Sequence, residues 1–224
     1  MRTYLPYYIY IIIFFSISCH AQRSRHSETL GKAIEYFGGG KYHEAMLEFE
    51  KLKEIYTLPP RFDAYLGICY YKENDYEKAA LTLSKAIPSL SPFPPQERAT
   101  YYFTCAESLF MLCRYDSAEV YYEKTLPVCR TDEQGDIYFR LSFCSLFAED
   151  YGRATERLRL ATEIYDRCEH PNAETKARRK QAKVMLKALL VSHGAGRMDV
   201  TDEETRHDKH HDTDDKDGDV DKKE

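Results

Sequence analysis

The chain has 224 residues, a hydrophobic fraction of 43% and a formal net charge of -5, with an isoelectric point near 5.9. This mildly acidic balance lacks the basic signature of a nucleic-acid binder, so we expect no nucleic-acid partner. The composition changes sharply at both ends of the chain, which leaves about 170 residues to build a single core.

Residues 1–21 have the pattern of an export signal. Arg2 precedes an apolar run from Leu5 to Ile17, and cleavage is expected after Ala21. Alternatively, Cys19 ends a lipoprotein signal and is acylated, although Ser16 stands where such signals usually carry leucine. An uncleaved anchor is a third alternative, which the short apolar run disfavours. We expect an exported protein, periplasmic or secreted, with membrane attachment only through Cys19.

A short motif occurs four times along the middle of the chain. It consists of a polar residue, a tyrosine, two mostly polar residues and an alanine. The alanines are 34, 39 and 36 residues apart, at Ala45, Ala79, Ala118 and Ala154. Twelve positions before each alanine stands a small residue: Ala33, Gly67, Ala106 and Ser142. A period of roughly 20 to 50 residues indicates a repeat protein.

Each motif lies between two stretches with helical spacing of apolar residues. In the second copy these stretches are residues 64–71 and 79–87. Connections of about two to four residues require antiparallel neighbours, and prolines near the ends of the second helices close each unit. Because one helix pair cannot bury its apolar faces alone, the sequence predicts an all-α solenoid of stacked pairs.

The pattern resembles the tetratricopeptide repeat. The resemblance rests on the period, on Leu66, Gly67 and Tyr70 in one first helix, and on the tyrosine-to-alanine step at each turn. It covers about residues 26–169, in units at about 26–59, 60–97, 99–132 and 135–169. It implies an α-solenoid of about four antiparallel helix pairs that binds other proteins.

The resemblance also implies which side chains face a partner, because first helices of such repeats line the inner surface of the array. Ten positions, mostly aromatic, fall there: Ile34, Phe37, Ile68, Tyr71, Phe103, Phe110, Met111, Phe139, Phe143 and Phe147. An aromatic groove of this kind holds a helix or an extended segment of a partner. We expect a protein or peptide in it, and neither a cofactor nor a metal.

Residues 136–148 are predicted to form a helix that is apolar almost all round. Such a helix needs cover on both sides. One interpretation is that a partner covers the second side. Another is that later helices of the same chain do so, because an exposed aromatic patch on a free monomer promotes association. A homo-oligomer that buries the surface is also open at this point.

Residues 171–193 are predicted to form a capping helix, with Pro171 near its start and Gly194 just beyond its end. Its basic residues lie in or beside the solvent face: Lys176, Arg178, Arg179, Lys180, Lys183 and Lys187. An acidic partner or an anionic membrane would meet them there, although a solvated face is commoner. Residues 197–224 are charged and lack aromatic residues, so a disordered acidic tail is predicted.

The tail also contains a cluster of histidines and aspartates, which would bind a transition metal weakly. Its members are His207, Asp208, His210, His211 and Asp212. Thr213 stands where a calcium loop needs its first carboxylate, so the nearby acidic residues do not predict a calcium site.

Six cysteines follow Cys19 in the sequence. Cys69, Cys105 and Cys144 lie within apolar helical patterns, where cysteine usually acts as a small hydrophobic residue. We expect these three in the core. Cys129 and Cys168 follow equivalent helices, and a disulfide between them is conceivable, although no spacing motif supports it.

Motifs of enzymes are missing from the sequence. Residues 38–41 read Gly-Gly-Gly-Lys but lack the earlier glycine and the Ser or Thr of a phosphate-binding loop. HExxH, CxxC and GxSxG motifs do not occur either. We predict a non-enzymatic scaffold outside the cytoplasm that holds a partner polypeptide. The alternatives are a self-associating structural module of the cell envelope and, less favoured, weak metal binding by the tail.

Overall fold

The computed structural model describes residues 26–207, with side chains described for residues 26–192. Throughout this part the secondary structure is helical. The helices are α1 (26–38), α2 (Tyr42–Lys53), α3 (Pro60–Lys72), α4 (Tyr76–Ala86), α5 (Pro95–Met111), α6 (Tyr115–Thr125), α7 (Gln134–Phe147), α8 (Tyr151–Asp166) and α9 (Ala173–His207), with a short 3-10 turn at Ile87–Leu90. The export signal at 1–21, including Cys19, lies outside the described residues, and so does the tail from residue 208 onward.

Consecutive helices pack on one another from α1 to α9, as four antiparallel pairs followed by one further helix. The predicted all-α solenoid is therefore confirmed. The pairs are α1–α2, α3–α4, α5–α6 and α7–α8. The first two pairs lie within the predicted units 26–59 and 60–97, whereas α5 begins at Pro95 and α7 at Gln134, ahead of the predicted starts at 99 and 135.

The turn inside each pair has the same geometry four times. It occupies residues 39–41, 73–75, 112–114 and 148–150. In each turn one residue has a left-handed backbone: Gly40, Asn74, Cys113 and Glu149, with φ of 72°, 63°, 58° and 57°. The N–H of the next residue donates to the carbonyl five positions earlier at 2.9 Å in all four turns. This is a Schellman motif, which satisfies carbonyls at the helix end and reverses the chain.

Small residues allow the two helices of each pair to lie close together. The four motif alanines are fully buried. A Cβ added to Gly67 in α3 would lie 2.6 Å from Cγ of Leu83 in α4, closer than real Cβ contacts. The second pair therefore requires glycine at this position, where the other pairs have alanine or serine.

One buried arginine joins three helices on the side formed by the second helices. Arg157 of α8 donates from Nη1 to the carbonyl of Leu141 at 3.1 Å and to Ser145 Oγ at 2.5 Å. Its Nη2 donates to Glu119 at 2.5 Å and to Glu123 at 3.2 Å. Because a buried charge is tolerated only when it is paired and hydrogen-bonded, this network fixes α8 against both α7 and α6.

The Pro-rich link between the second and third pairs is helical in its first part. Its first residues form the 3-10 turn at Ile87–Leu90, and Leu90 is fully buried. Helix α5 then begins at Pro95. Proline fits this first helical position because its missing N–H would lack a partner there in any case.

Helix α9 packs on the last pair, as expected of a capping helix, but it is longer than predicted. It runs to His207 instead of ending at 193, so residues 197–207, which were expected to be disordered, are helical. Gly194 and Gly196 weaken a helix by about 1 kcal/mol each relative to alanine, but neither residue terminates it without a suitable turn. None of the helices in the described part is long and apolar enough to cross a membrane.

The cysteines of the described part are all free thiols. Cys69, Cys105 and Cys144 are buried in the core as predicted. Cys129 and Cys168 form no disulfide, and the Cys129 thiol instead donates to the carbonyl of Leu126 at 3.4 Å.

Candidate partner-binding surface

Aromatic side chains of the third and fourth pairs form a continuous cluster at the turn end of their first helices. Phe110 of α5 makes edge contacts with Tyr115, Phe143 and Phe147, with ring centroids 5.2, 6.5 and 6.1 Å apart. Tyr115 also stacks on Phe147 at 4.1 Å. We call these four residues the aromatic patch. Three of its four members were predicted to line the inner surface.

The aromatic patch is partly open to solvent. Phe147 is 54% exposed, while the other three members are half-buried. A cleft of about 580 Å³ lies beside it, lined by residues 113–117, Phe147 and Ala148. Met111, which is 52% exposed, follows Phe110 in the chain. Accessible apolar side chains next to a cleft form the kind of surface on which a partner side chain is seated.

Helix α9 covers the other end of the inner surface of α7. Phe139 is only 6% exposed because it packs in one cluster with Ala182 of α9. Phe143 is partly buried against the same cluster, together with Met185 and Leu186. Phe139 therefore belongs to the core and cannot contact a partner directly, contrary to its predicted place in the groove. The chain itself therefore covers the end of this surface that contains Phe139.

The predicted residues of the first two pairs are dispersed. Ile68 is 7% exposed and belongs to the core, so it does not line a groove as predicted. Phe37 stacks on Tyr65 of the next first helix at 4.3 Å. Ile34 is exposed at the first end of the array, and Tyr71 is half-buried. The structure therefore brings no second exposed aromatic cluster together among these positions.

Phe103 is also separate from the aromatic patch. Its ring makes an edge contact with Tyr122 of its own pair, with ring centroids 5.8 Å apart. It lines a cavity of about 240 Å³ together with Cys129 and Ile137. Phe103 lies near the middle of α5, where it packs this helix against α6.

A buried acidic residue fixes the first helices beside the aromatic patch. Glu107 is 4% exposed; it accepts a hydrogen bond from Arg140 Nη2 at 2.8 Å and another from the hydroxyl of Tyr122. Burial, followed by the charge and the hydrogen bond of Glu107, raises the pKa of Tyr122 far above its usual value, so the phenol remains neutral. The Arg140 guanidinium also lies 5.5 Å from the ring centre of Phe110. The network therefore holds the Arg140 guanidinium beside Phe110, on one side of the aromatic patch.

The sequence reasoning missed the tyrosines of the turns as part of the inner surface. Tyr42, Tyr76 and Tyr115 each contact the last aromatic residue of the preceding first helix, at centroid distances of 5.9, 5.9 and 5.2 Å. Lys72 lies 5.6 Å from the ring centre of Tyr42 in the preceding unit. The tyrosine of the repeated motif could have predicted this contact, but the motif was used only to locate the turn.

Solved structures of known proteins have the same architecture. A structure of a MamA mutant is 16% identical, with 77% of this chain covering 90% of that chain at a TM-score of 0.57. The apo form of RapI is 16% identical, and the match covers 83% of this chain and 74% of that chain at a TM-score of 0.57. A structure of the APC/C hetero-tetramer Cut9-Hcn1 is 15% identical, and the match covers 70% of this chain and 30% of that chain at a TM-score of 0.54. These are tetratricopeptide-repeat proteins, and the likeness shows that this chain has their fold.

The sequence itself carries too little similarity for a closer assignment. No protein-family model matches it, and the search of curated proteins gave no match. The likeness at 15–16% identity therefore concerns the fold alone.

Proposed function

We propose that this chain is a protein-interaction scaffold in which the aromatic patch binds an apolar segment of a partner polypeptide. The observation that carries the proposal is the exposure of Phe147, at 54%, although its ring packs against the rings of Phe110 and Tyr115. Aromatic anchors at well-packed, partly enclosed positions contribute most of the binding energy in protein interfaces. The fold supports this class, because tetratricopeptide-repeat proteins are generally interaction modules without enzymatic activity.

The position of the patch favours a short apolar segment over a large flat partner. Phe139 and Phe143 are engaged by α9, so the accessible surface is confined to Phe147, Met111 and the adjoining cleft. A helix turn or an extended segment with one or two large apolar side chains fits such a site. The proposed binding site is therefore smaller than the predicted groove and lies at one end of α5 and α7.

A photocrosslinking experiment tests the proposal. Phe147 is replaced by the photoreactive residue p-benzoyl-phenylalanine, and the chain is irradiated in its native cell envelope. We expect one dominant adduct with a different polypeptide, and its loss on Met111→Ser. The matched control carries the same residue at Val120, which is 48% exposed on a second helix. Equal adducts from both positions would contradict the proposal.

The same experiment separates the second candidate function, a self-associating structural module. An adduct of two copies of this chain through position 147 would favour that function over an adaptor. The exposed part of the patch is accessible enough for either occupant, and the identity of the adduct by mass spectrometry decides between them.

Location outside the cytoplasm is part of the proposal and is supported by the sequence pattern of residues 1–21. Fusion of residues 1–30 to a reporter that is active only after export tests it. Export with processing after Ala21 supports a free protein, whereas acylation at Cys19 supports a lipid-anchored one. Retention of the reporter in the cytoplasm would contradict both.

A further inference from the structure

A cavity lies between the first half of α5 and the start of α7, away from the aromatic patch. Its volume is about 240 Å³, and its walls come from α5, from the end of α6 with the link that follows, and from α7. Sites for whole small molecules usually measure about 300–1,000 Å³, so this space matches one long side chain better. We call it the Phe103 cavity, after the aromatic residue in its wall.

Apolar and acidic groups line the Phe103 cavity together. Ala99, Phe103 and Ile137 supply apolar surface, and Glu133 and Asp136 supply carboxylates. Long cationic side chains pack their methylene groups against apolar surface and keep the charged end in a polar environment. The lining therefore fits an aliphatic chain that ends in a positive charge.

The hydroxyl and thiol groups of the cavity already use their own hydrogen-bond donors. The hydroxyls of Thr100, Thr104 and Thr125 donate to backbone carbonyls one helical turn earlier, at 3.2, 2.8 and 2.8 Å. The thiol of Cys129 donates to the carbonyl of Leu126. These groups can offer a ligand only their lone pairs. An ammonium or guanidinium group, which donates hydrogen bonds and cannot accept them, is the complement of such a lining.

The two carboxylates of the cavity differ in their partners. Asp136 pairs with Arg178 of α9 at 2.5 Å. Glu133 is half-buried and forms no ion pair within the described part of the chain. Its oxygens accept hydrogen bonds from the side-chain amide of Gln96, at 2.9 and 3.1 Å, and from the backbone N–H of Arg130, at 3.0 Å. Because charge-assisted hydrogen bonds are stronger than neutral ones, a ligand cation would be attracted to Glu133 first.

The Phe103 cavity and the aromatic patch lie on the same side of α5. Phe103 and Phe110 are seven residues apart, which is about two helical turns or 10 Å. Both sites also border α7, at Ile137 and at Phe147. In an extended segment, side chains two or four positions apart share a face and are separated by about 7 or 13 Å. One short segment can therefore reach both sites.

We propose that the Phe103 cavity binds a lysine or arginine side chain of the partner segment whose apolar residue the aromatic patch holds. The methylene groups lie along Phe103 and Ile137, and the charged end lies at Glu133. The identity of this occupant rests on the function proposed above, whereas the preference of the cavity for a cation does not. The partner segment thus carries one apolar anchor and one basic anchor.

The preference for a cation can be tested without a partner through Cys129, a free thiol in the cavity wall. The chain without residues 1–21 is treated with two methanethiosulfonate reagents, one with an ammonium group and one with a sulfonate, and peptide mass spectrometry assigns each rate to its thiol. We expect the ratio of the ammonium rate to the sulfonate rate to be about fivefold higher at Cys129 than at the exposed Cys113.

Neutralisation of Glu133 links this ratio to the carboxylate. Glu133→Gln keeps the shape of the side chain and should remove most of the difference between the two thiols. Glu77→Gln, at an exposed position on α4, is the matched control and should leave the ratio unchanged. Equal ratios at the two thiols, or a ratio at Cys129 that Glu133→Gln does not change, would overturn the proposal.

Selection of random phage-displayed peptides on the same chain tests the occupant. We expect an enriched motif with a large apolar residue and a lysine or arginine, two to four positions apart in an extended peptide or seven in a helical one. Glu133→Gln should abolish the enrichment of the basic position alone, and Phe147→Ser that of the apolar position alone.

The outcomes of the selection separate this inference from the function on which it rests. A motif with an apolar position and no basic one overturns the inference and leaves the proposed function intact. A basic position without an apolar one supports the cavity as a cation site and contradicts the role of the aromatic patch. The absence of any enriched motif contradicts both.

Discussion

The ring of Tyr115, at the start of α6, stacks on the ring of Phe147, at the end of α7 in the next unit. Their centroids are 4.1 Å apart and their planes differ by 10°. A residue of the repeated turn motif therefore joins neighbouring units and also supports the most exposed aromatic residue of the patch. The stability of the array and the proposed binding surface therefore share this side chain.

Replacement of Tyr115 by alanine removes this stacking and the edge contact with Phe110. Aromatic pairs contribute about 0.5–1.5 kcal/mol beyond the area that they bury, so we expect a loss of about 1–2 kcal/mol in urea unfolding. Tyr115→Phe keeps the ring and should cost much less. Equal losses for the two variants would show that the hydroxyl, and not the stack, is important.

Replacement of Arg157 by alanine leaves Glu119 with only Arg153 and removes the bonds to the backbone of α7. Removal of one partner from a buried pair costs about 3 kcal/mol or more, so we expect a loss of about 3 kcal/mol. Arg159→Ala is the control on the same helix, because its exposed ion pairs contribute about 0.5 kcal/mol at most. Urea unfolding of both variants measures the difference. A loss of stability no larger than that of the control would contradict the role of Arg157 in fixing α8 against α6 and α7.

Replacement of Glu149 by glycine is expected to stabilise the chain. Glu149 has a φ of 57°, a conformation that glycine adopts without steric cost, and no ion pair of Glu149 is seen in the described part. The expected gain is about 0.5–1 kcal/mol, reduced by the greater flexibility of glycine in the unfolded chain. Gly40→Ala, at the equivalent turn, should have the opposite sign. The midpoint of thermal unfolding measures both, and a loss of stability for Glu149→Gly would contradict the account of these turns.

Replacement of Gly67 by alanine is expected to destabilise the chain although alanine favours helices. The new methyl group would lie 2.6 Å from Cγ of Leu83, and overpacking of a buried contact costs about 1–3 kcal/mol. The cost should be smaller when Leu83 is already alanine, since the clash is then absent. A double-mutant cycle by urea unfolding measures this coupling, and strictly additive losses would contradict the contact.

The thiols should differ in reactivity with iodoacetamide at pH 8. Burial raises the pKa of Cys69, Cys105 and Cys144 to about 12, so these thiols stay protonated at this pH. Cys113 is exposed in its turn and should be modified first. Mass spectrometry of the peptides gives the order of modification. Rapid modification of the three buried thiols in the folded chain would contradict the packing.

The fold was predictable from the sequence because each unit repeats the same local pattern. Four tyrosine-to-alanine steps, each twelve residues after a small residue, specify where two helices touch and where the chain turns. Gly67 belongs to this pattern for a local reason, because Leu83 leaves no room for a methyl group at this position. Such information is local, and a single sequence contains it.

The candidate binding surface was less predictable because exposure depends on distant parts of the chain. Phe139 and Phe147 occupy the same predicted helix, yet α9 buries the first and leaves the second exposed. Cys113 and Glu149 have left-handed backbones that their residue types do not signal. The end of α9 was misplaced because Gly194 was interpreted as a stop, whereas the backbone continues as a helix.

The contrast between the turns inside the pairs and the links between them has a practical consequence. All four turns inside the pairs have the same length, at 39–41, 73–75, 112–114 and 148–150. The links that follow the pairs have two different lengths, at 54–59, 87–94, 126–133 and 167–172. Extra length is therefore accommodated between units and not within them. A purification tag inserted between Ser91 and Pro92, both exposed, should leave the chain folded, whereas the same tag in a turn should not. The 87–94 link thus offers an internal labelling site that leaves both chain ends unmodified.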